Sequence, residues 1–186
     1  MGSIFVGLLF LYLDFHITIS DQYIIGFMPT FVGYLLIRSG VMNLEEENSV
    51  FIDDKSKMGI IFMLAYSVVM YVFDLLGVSV GISRETIPSL IFSLVDIASM
   101  FVELKVIIGI IDMLREVEII RNLDLMTNKL RDTYMRAFIV SIVFLVVLLV
   151  PVLNIVLIIP AALITCIFNI IFVTNFYIAK KRYVEW

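Results

Sequence analysis

Cysteine and histidine are almost absent from the sequence, each occurring once in 186 residues, as Cys166 and His16. A single cysteine excludes an internal disulfide framework and a cysteine-based metal motif. A single histidine cannot build a histidine-based metal centre, and the sequence has neither a Gly-rich phosphate-binding loop nor a nucleophile motif. We therefore expect a protein that is not an enzyme and that carries no metal and no cofactor.

Charge is also scarce, because Asp, Glu, Lys and Arg make up only 16% of the chain, whereas soluble domains hold about 25%. Hydrophobic residues make up 62%, and runs such as "AFIVSIVFLVVLLV" and "IVLIIPAALITCIFNIIFV" carry no charge. A soluble domain of this length needs a mostly polar outer shell, so such runs belong in lipid. The fifteen Phe are spread through these runs and suggest no surface for nucleic acid. We expect a protein of the cell membrane with the lipid bilayer as its main partner and no nucleic-acid partner.

The apolar segments are long enough to count as membrane spans. A helix needs roughly 20 apolar residues to cross a hydrocarbon layer about 30 Å thick. We predict an all-α, polytopic integral membrane helical bundle with about six transmembrane helices, forming a single domain over residues 1–186. Its segments are Ile4–Leu13, Tyr23–Val41, Met58–Leu76, Ile87–Leu114, Tyr134–Val150 and Ile155–Ala179. The sequence "VPVLN" between the last two predicts a tight turn that contains Pro151 and Asn154.

Basic residues gather at alternate connections between these segments. The second connection, the fourth connection and the C-terminal end hold most of them, namely Arg38, Lys55, Lys57, Arg115, Arg121, Lys129, Arg131, Arg136, Lys180, Lys181 and Arg182. The first and fifth connections have none, and the third has only Arg84. Because positive residues accumulate on the cytoplasmic side, the pattern predicts an even number of spans with both termini in the cytoplasm.

The stretch after the first segment combines acidic residues with the only histidine. Residues 15–20 alternate between apolar and polar side chains, which predicts an extended strand. Asp14 and His16 would form a small ligand or ion site at the outer mouth, because histidine titrates near neutral pH and carboxylates in a membrane are costly to keep. Alternatively the stretch is an ordinary turn at the water interface, and Asp21 stabilises a helix N-terminus.

The second segment contains glycines at regular intervals. Gly26, Gly33 and Gly40 recur every seven residues and would line one face of a helix that begins near Tyr23 and is kinked at Pro29. Such small residues let helices approach closely in lipid. Alternatively, Pro29 occupies the first turn of a shorter helix. The glycine spacing favours the continuous, kinked helix.

The fourth segment carries a polar face. Its polar residues are spaced by four, three, three and four, as one face of a helix requires, and they are Ser89, Ser93, Asp96, Ser99 and Glu103. Asp96 would lie near the middle of the membrane, where a charge costs about 2.5–3.5 kcal/mol. One hypothesis makes this face a ligand-binding or ion-conducting stripe built from Asp96, Ser93, Ser99 and Glu103. The other makes it a set of polar contacts that hold helices together.

The connection between the fourth and fifth segments is amphipathic. Its apolar residues follow helical spacing while charges of both signs fill the other face. We predict a cytoplasmic helical arm at about residues 113–134. Its apolar stripe would be covered by the protein's own loops, the membrane surface, a second copy or a partner subunit, which would dock on Val117, Ile120 and Leu123.

The first quarter of the chain resembles a known group of sequences. "LFLYLDFHI", "FMPTFVGYLLIRSG" and "LEEENSVF" are similar to the opening of small, uncharacterised multi-spanning membrane proteins of Gram-positive bacteria. Where that pattern often has an acidic residue after the proline, this chain has Thr30. The resemblance implies a bacterial membrane protein and no particular function.

Three functions fit the sequence. The first is a transporter, or the solute-binding membrane subunit of a transport complex, for a small solute or ion. The short length of the chain suits a subunit that relies on an energising cytosolic or membrane partner, which is an argument from analogy. The second is a non-transporting assembly, immunity or regulatory membrane protein. The third is an oligomeric ion channel, in which copies of the chain place Asp96 along a shared pore.

Overall fold

The computed structural model describes residues 1–12, 16–20, 23–26, 29–76, 86–149 and 151–185, and within these it describes the backbone alone for 16–20, 23–26, 86–90, 92, 148–149 and 151–156. This part of the chain is helical apart from one short hairpin. Its elements are α1 (Gly2–Tyr12), β1 (His16–Ser20), β2 (Tyr23–Gly26), α2 (Thr30–Asn48), α3 (Asp54–Leu75), α4 (Thr86–Arg121), α5 (Thr127–Leu149) and α6 (Pro151–Val184). The chain divides into two compact units, Met1–Met113 and Leu114–Trp186, and the boundary falls inside α4.

Two of the described helices are long and apolar enough to cross a membrane. They are α3 and the Leu157–Val184 part of α6, while α1 is a shorter apolar helix. The helical fold class is therefore seen in the described residues.

The hairpin occupies the stretch in which the sequence alternates. β1 pairs with β2 in antiparallel register, with His16 opposite Gly26 and Ile17 opposite Ile25. The prediction of an extended segment is confirmed for His16–Ser20. Two paired strands satisfy each other's backbone hydrogen bonds, whereas a helix satisfies its own.

The prediction of a continuous helix from Tyr23 is wrong. Residues Tyr23–Gly26 form β2, and α2 begins at Thr30. Pro29 immediately precedes the helix with extended backbone angles, φ −62° and ψ 126°. Proline has no N–H to donate and its ring clashes with the preceding turn of a helix, so a helix start suits it better than a helix interior.

Helices α1 and α2 touch at their backbones. A Cβ atom placed on Gly7 would lie 2.6 Å from the carbonyl oxygen of Gly33, and one on Gly40 would lie 2.5 Å from the Cγ1 atom of Ile4. The prediction that Gly33 and Gly40 share a packing face is confirmed, whereas Gly26 lies in β2 instead.

Helices α3 and α4 run antiparallel. A Cβ atom on Gly109 of α4 would lie 2.6 Å from the Cβ of Ser56, near the start of α3. A Cβ atom on Gly59 of α3 would likewise meet the side chain of Val106 in α4. The edge of Phe31 in α2 meets Tyr71 near the end of α3, with ring centroids 5.3 Å apart. The first unit is thus built on close helix contacts.

The second unit pairs α5 with α6. The ring centroid of Phe172, a fully buried residue, lies 5.0 Å from that of Tyr134. The predicted turn at Asn154 is wrong, because Asn154 lies within α6, which begins at Pro151. Proline is favoured in the first turn of a helix, where its missing N–H needs no partner.

The connection at 122–126 between α4 and α5 is held by two carboxylates, those of Glu118 and Asp124. Glu118 accepts hydrogen bonds from the backbone N–H of Leu125, at 3.0 Å, and from the hydroxyl of Thr127. Arg182 near the end of α6 forms an ion pair with Asp124.

The residues of the predicted arm are helical up to Arg121 and again from Thr127. The single domain over 1–186 stays a prediction.

Candidate functional site

The polar face predicted for the fourth segment lies on one uninterrupted helix, α4. Asp96 accepts a hydrogen bond of 2.5 Å from the hydroxyl of Tyr66 on α3. Glu103, two turns further along, accepts one of 3.0 Å from the hydroxyl of Tyr12 at the end of α1. Each carboxylate of this face is therefore joined to a tyrosine of a different helix.

The serines of the same face are placed differently from the carboxylates. Ser99 is buried, and its hydroxyl donates to the backbone carbonyl of Asp96 at 2.8 Å, within its own helix. Ser93 is half-buried, whereas Asp96 is exposed. The face thus combines an internally bonded hydroxyl with a carboxylate that a ligand can reach.

A second polar cluster fastens the other end of α3 to α4. The hydroxyl of Ser56 donates to the backbone carbonyl of Lys105 at 3.1 Å. The ammonium of Lys105 lies 3.4 Å from the Oδ2 atom of Asp53, which caps the N-terminus of α3 and accepts from the N–H of Ser56. The side chain of Lys105 is 51% exposed.

The electrostatics of this cluster favour the ionised form of Asp53. Hydrogen bonding from Ser56 is the largest influence and lowers the pKa of Asp53 below its ordinary value of 3.8. Partial burial opposes this shift, and the Lys105 ammonium adds to it. Asp53 is therefore an anion at neutral pH that holds α3 and α4 together.

The predicted outer-mouth site lies mostly outside the described residues. Asp14 and Asp21 belong to ranges that the structure does not describe. His16 is the first residue of β1, and its side chain is likewise not described. The ligand role of Asp14 and His16 stays a prediction.

The predicted docking residues are divided between the interior and the surface. Val117 is fully buried, whereas Ile120 is 62% exposed and Leu123 is half-buried. Three other apolar or aromatic residues of the predicted arm, Met113, Leu130 and Tyr134, are buried too. Much of the stripe is thus covered by the protein itself, and docking on Ile120 and Leu123 stays a prediction.

Metal-ligating side chains do not gather anywhere in the described ranges: no three His, Cys, Asp or Glu residues come together there. The residues that sequence reasoning missed are Tyr12 and Tyr66. Both carry a hydroxyl within an apolar segment, a signal that could have marked them. The sequence gives no indication of which carboxylate each would bind, because 91 residues separate Tyr12 from Glu103.

Comparisons with known proteins give no match for this chain, whether with family models, curated proteins or solved structures. Its function is therefore inferred from its own residues.

Proposed function

We propose that this protein is an integral membrane protein that works as a transporter, or as the solute-binding membrane subunit of a transport complex, for a small solute or ion. The exposure of the apolar helices α3 and α6 supports placement in a membrane. Only 22% of the most apolar window of α3, and 6% of that of α6, is buried inside the protein. A core helix of a soluble protein would be mostly buried, and so large an apolar surface needs lipid around it.

Six spans with both termini in the cytoplasm are the topology we propose. Large apolar side chains are exposed along the other two long helices as well, including Ile91, Leu94 and Phe101 of α4 and Ile139, Val143 and Val146 of α5. The alternation of basic connections supports the orientation. The resemblance of the first quarter to multi-spanning membrane proteins of Gram-positive bacteria agrees with it.

The single observation that carries the transport proposal is the contact between Asp96 and Tyr66. Ten residues of α3 separate Tyr66 from Ser56, and at 1.5 Å per residue that is about 15 Å. Because the ion pair of Lys105 and Asp53 beside Ser56 suits a water boundary, the Tyr66–Asp96 contact would lie about halfway through a 30 Å hydrocarbon layer. Intramembrane carboxylates of this kind commonly mark ion or solute pathways.

The chemistry of this contact suits a cation or a polar solute. The Tyr66 hydroxyl donates to one oxygen of Asp96 and fixes the orientation of the carboxylate. The other oxygen remains able to accept from a ligand or to hold a cation, and a bound positive charge would offset the cost of keeping Asp96 in lipid. Glu103 supplies a second carboxylate on the same face.

The test replaces Asp96 by Asn, which keeps the shape of the side chain and removes its charge. Asp74→Asn on α3 is the matched control, since it makes the same chemical change eight residues along the helix from Tyr66. Small molecules retained in mild detergent are identified by mass spectrometry, and H⁺, Na⁺ and K⁺ fluxes are measured in proteoliposomes. We expect Asp96→Asn to lower retention or flux about tenfold, the effect of losing one charged hydrogen bond. Equal behaviour of the two variants would contradict the proposal.

A second candidate is a non-transporting assembly, immunity or regulatory protein. It is favoured by the fact that both carboxylates are already bonded to tyrosines of neighbouring helices. In that case Asp96→Asn would lower the melting temperature or the capture of a partner protein, and no variant would alter flux. An oligomeric channel would instead show conductance from the pure protein alone, with Asp96→Asn reducing it.

A further inference from the structure

A cavity of about 260 Å³ lies between the C-terminal half of α2 and the first turns of α3. Its lining is mostly apolar with three charged side chains, and consists of Arg38, Val41, Met42, Glu45, Lys57, Ile60 and Ile61. Val41 and Ile60 are buried and form its floor, while Met42 and Ile61 are exposed at its rim. A ligand that fills it must be both apolar and charged.

The charges of this cavity do not cancel. The ammonium of Lys57 lies 2.9 Å from the Oε1 atom of Glu45, which also accepts from the backbone N–H of Ile52. Arg38 is exposed, and within the part of the chain that the structure describes no carboxylate lies within ion-pair distance of its guanidinium. One positive charge therefore remains for an anionic ligand.

The apolar surface beside the cavity continues toward the membrane side. Leu35 precedes Arg38 by about one turn of α2 and is 46% exposed, and Ile61 follows Lys57 by about one turn of α3 and is 52% exposed. Both side chains lie on the side of the cations from which the apolar halves of the helices extend. A ligand with a charged group at Arg38 could therefore place an apolar part over Leu35 and Ile61.

We propose that this cavity binds the headgroup of an anionic phospholipid from the cytoplasmic leaflet. Its phosphate oxygens accept hydrogen bonds from Arg38, with Lys57 as a second cation, and its acyl chains lie over Leu35 and Ile61. Phosphate matches the fork of donors on a guanidinium, and basic pockets between membrane helices bind anionic headgroups. A free phosphate would leave the apolar lining in water. The inference rests on the membrane placement proposed above.

The test uses Arg38→Gln, with Lys55→Gln as a matched control that removes one exposed positive charge from the same end of the molecule without touching the cavity. The full chain in mild detergent is titrated with phosphatidylglycerol, phosphatidylcholine and glycerol 3-phosphate, and binding is followed by native mass spectrometry. We expect one phosphatidylglycerol per chain and an affinity about tenfold lower in Arg38→Gln, as for the loss of one charged hydrogen bond. Glu45→Gln, which frees Lys57, should raise the affinity.

Three outcomes would overturn the inference. They are equal binding of phosphatidylcholine, equal loss in the Lys55→Gln control, and glycerol 3-phosphate binding as tightly as the lipid. Failure of the membrane proposal looks different, because the protein would then stay in solution when detergent is removed. Thermal unfolding of each variant separates loss of the site from loss of the fold.

Discussion

At the scale of single residues, several polar side chains of the first unit join neighbouring helices. Tyr66 binds Asp96, Tyr12 binds Glu103, and Ser56 binds the backbone at Lys105. Polar groups in lipid find few partners other than each other, so such contacts select which helices become neighbours. Asp96 is bonded to Tyr66 and also exposed, which is why a ligand role is proposed for it.

The lowered pKa of Asp53 predicts that the stability of the protein depends on pH. Because this pKa is lowered on folding, the ionised carboxylate contributes stability at pH values above its ordinary pKa of 3.8, and the contribution is lost as the pH falls through the lowered value. We expect the melting temperature, followed by circular dichroism in detergent, to fall as the pH is lowered through this range. Asp53→Asn, which keeps the capping oxygen, should weaken that dependence.

The matched control for this experiment is Asp54→Asn. Asp54 is the first residue of α3 and is exposed, so the change removes a carboxylate from the same turn but leaves the contacts of Asp53 with Ser56 and Lys105 intact. If Asp54→Asn weakened the pH dependence as much as Asp53→Asn, the dependence could not be attributed to the Asp53 contacts.

At the scale of elements, α1 and α2 of the first unit approach each other at their backbones. Gly7 and Gly33 each lie where a Cβ atom would meet the other's carbonyl oxygen, at 2.6 Å and 2.9 Å. A backbone atom cannot move aside as the end of a flexible side chain can. The two helices would therefore have to separate to admit even a methyl group.

Replacing Gly7 by Ala should destabilise the protein by about 1–3 kcal/mol, the usual cost of overpacking. Thermal unfolding in detergent measures it. Gly2→Ala is the control, since a Cβ atom at Gly2 meets nothing within 4 Å and alanine favours the helix. Equal melting temperatures for the two variants would refute the close approach of α1 and α2.

The sequence predicts elements better than it predicts their partners. The long apolar runs correspond to helices in the described chain, and the period of two at residues 15–20 corresponds to β1, because each periodicity follows from local geometry. The prediction of a continuous helix through Pro29 was wrong. It relied on the glycine spacing, although proline is unfavourable in a helix interior. The pairing of Asp96 with Tyr66 depends on the antiparallel packing of α3 against α4, which no local pattern encodes.

At the scale of the whole molecule, the proposed roles of individual residues depend on the proposed placement of the chain in a membrane. Large apolar side chains are exposed along the helices, among them Ile159, Leu163 and Ile167 of α6. A bilayer would cover this apolar surface, which water would not tolerate. The cavity at Arg38 and the Asp96 face acquire their proposed roles only in that setting.

The most direct test of this account is the accessibility of single cysteines in intact cells that express the protein. In a Cys166→Ser background, Ser79→Cys marks the third connection and Asn128→Cys marks the arm. We predict that a membrane-impermeant maleimide labels Ser79→Cys in intact cells, and labels Asn128→Cys only after the membrane is permeabilised. Labelling of Asn128→Cys from outside intact cells would contradict the account.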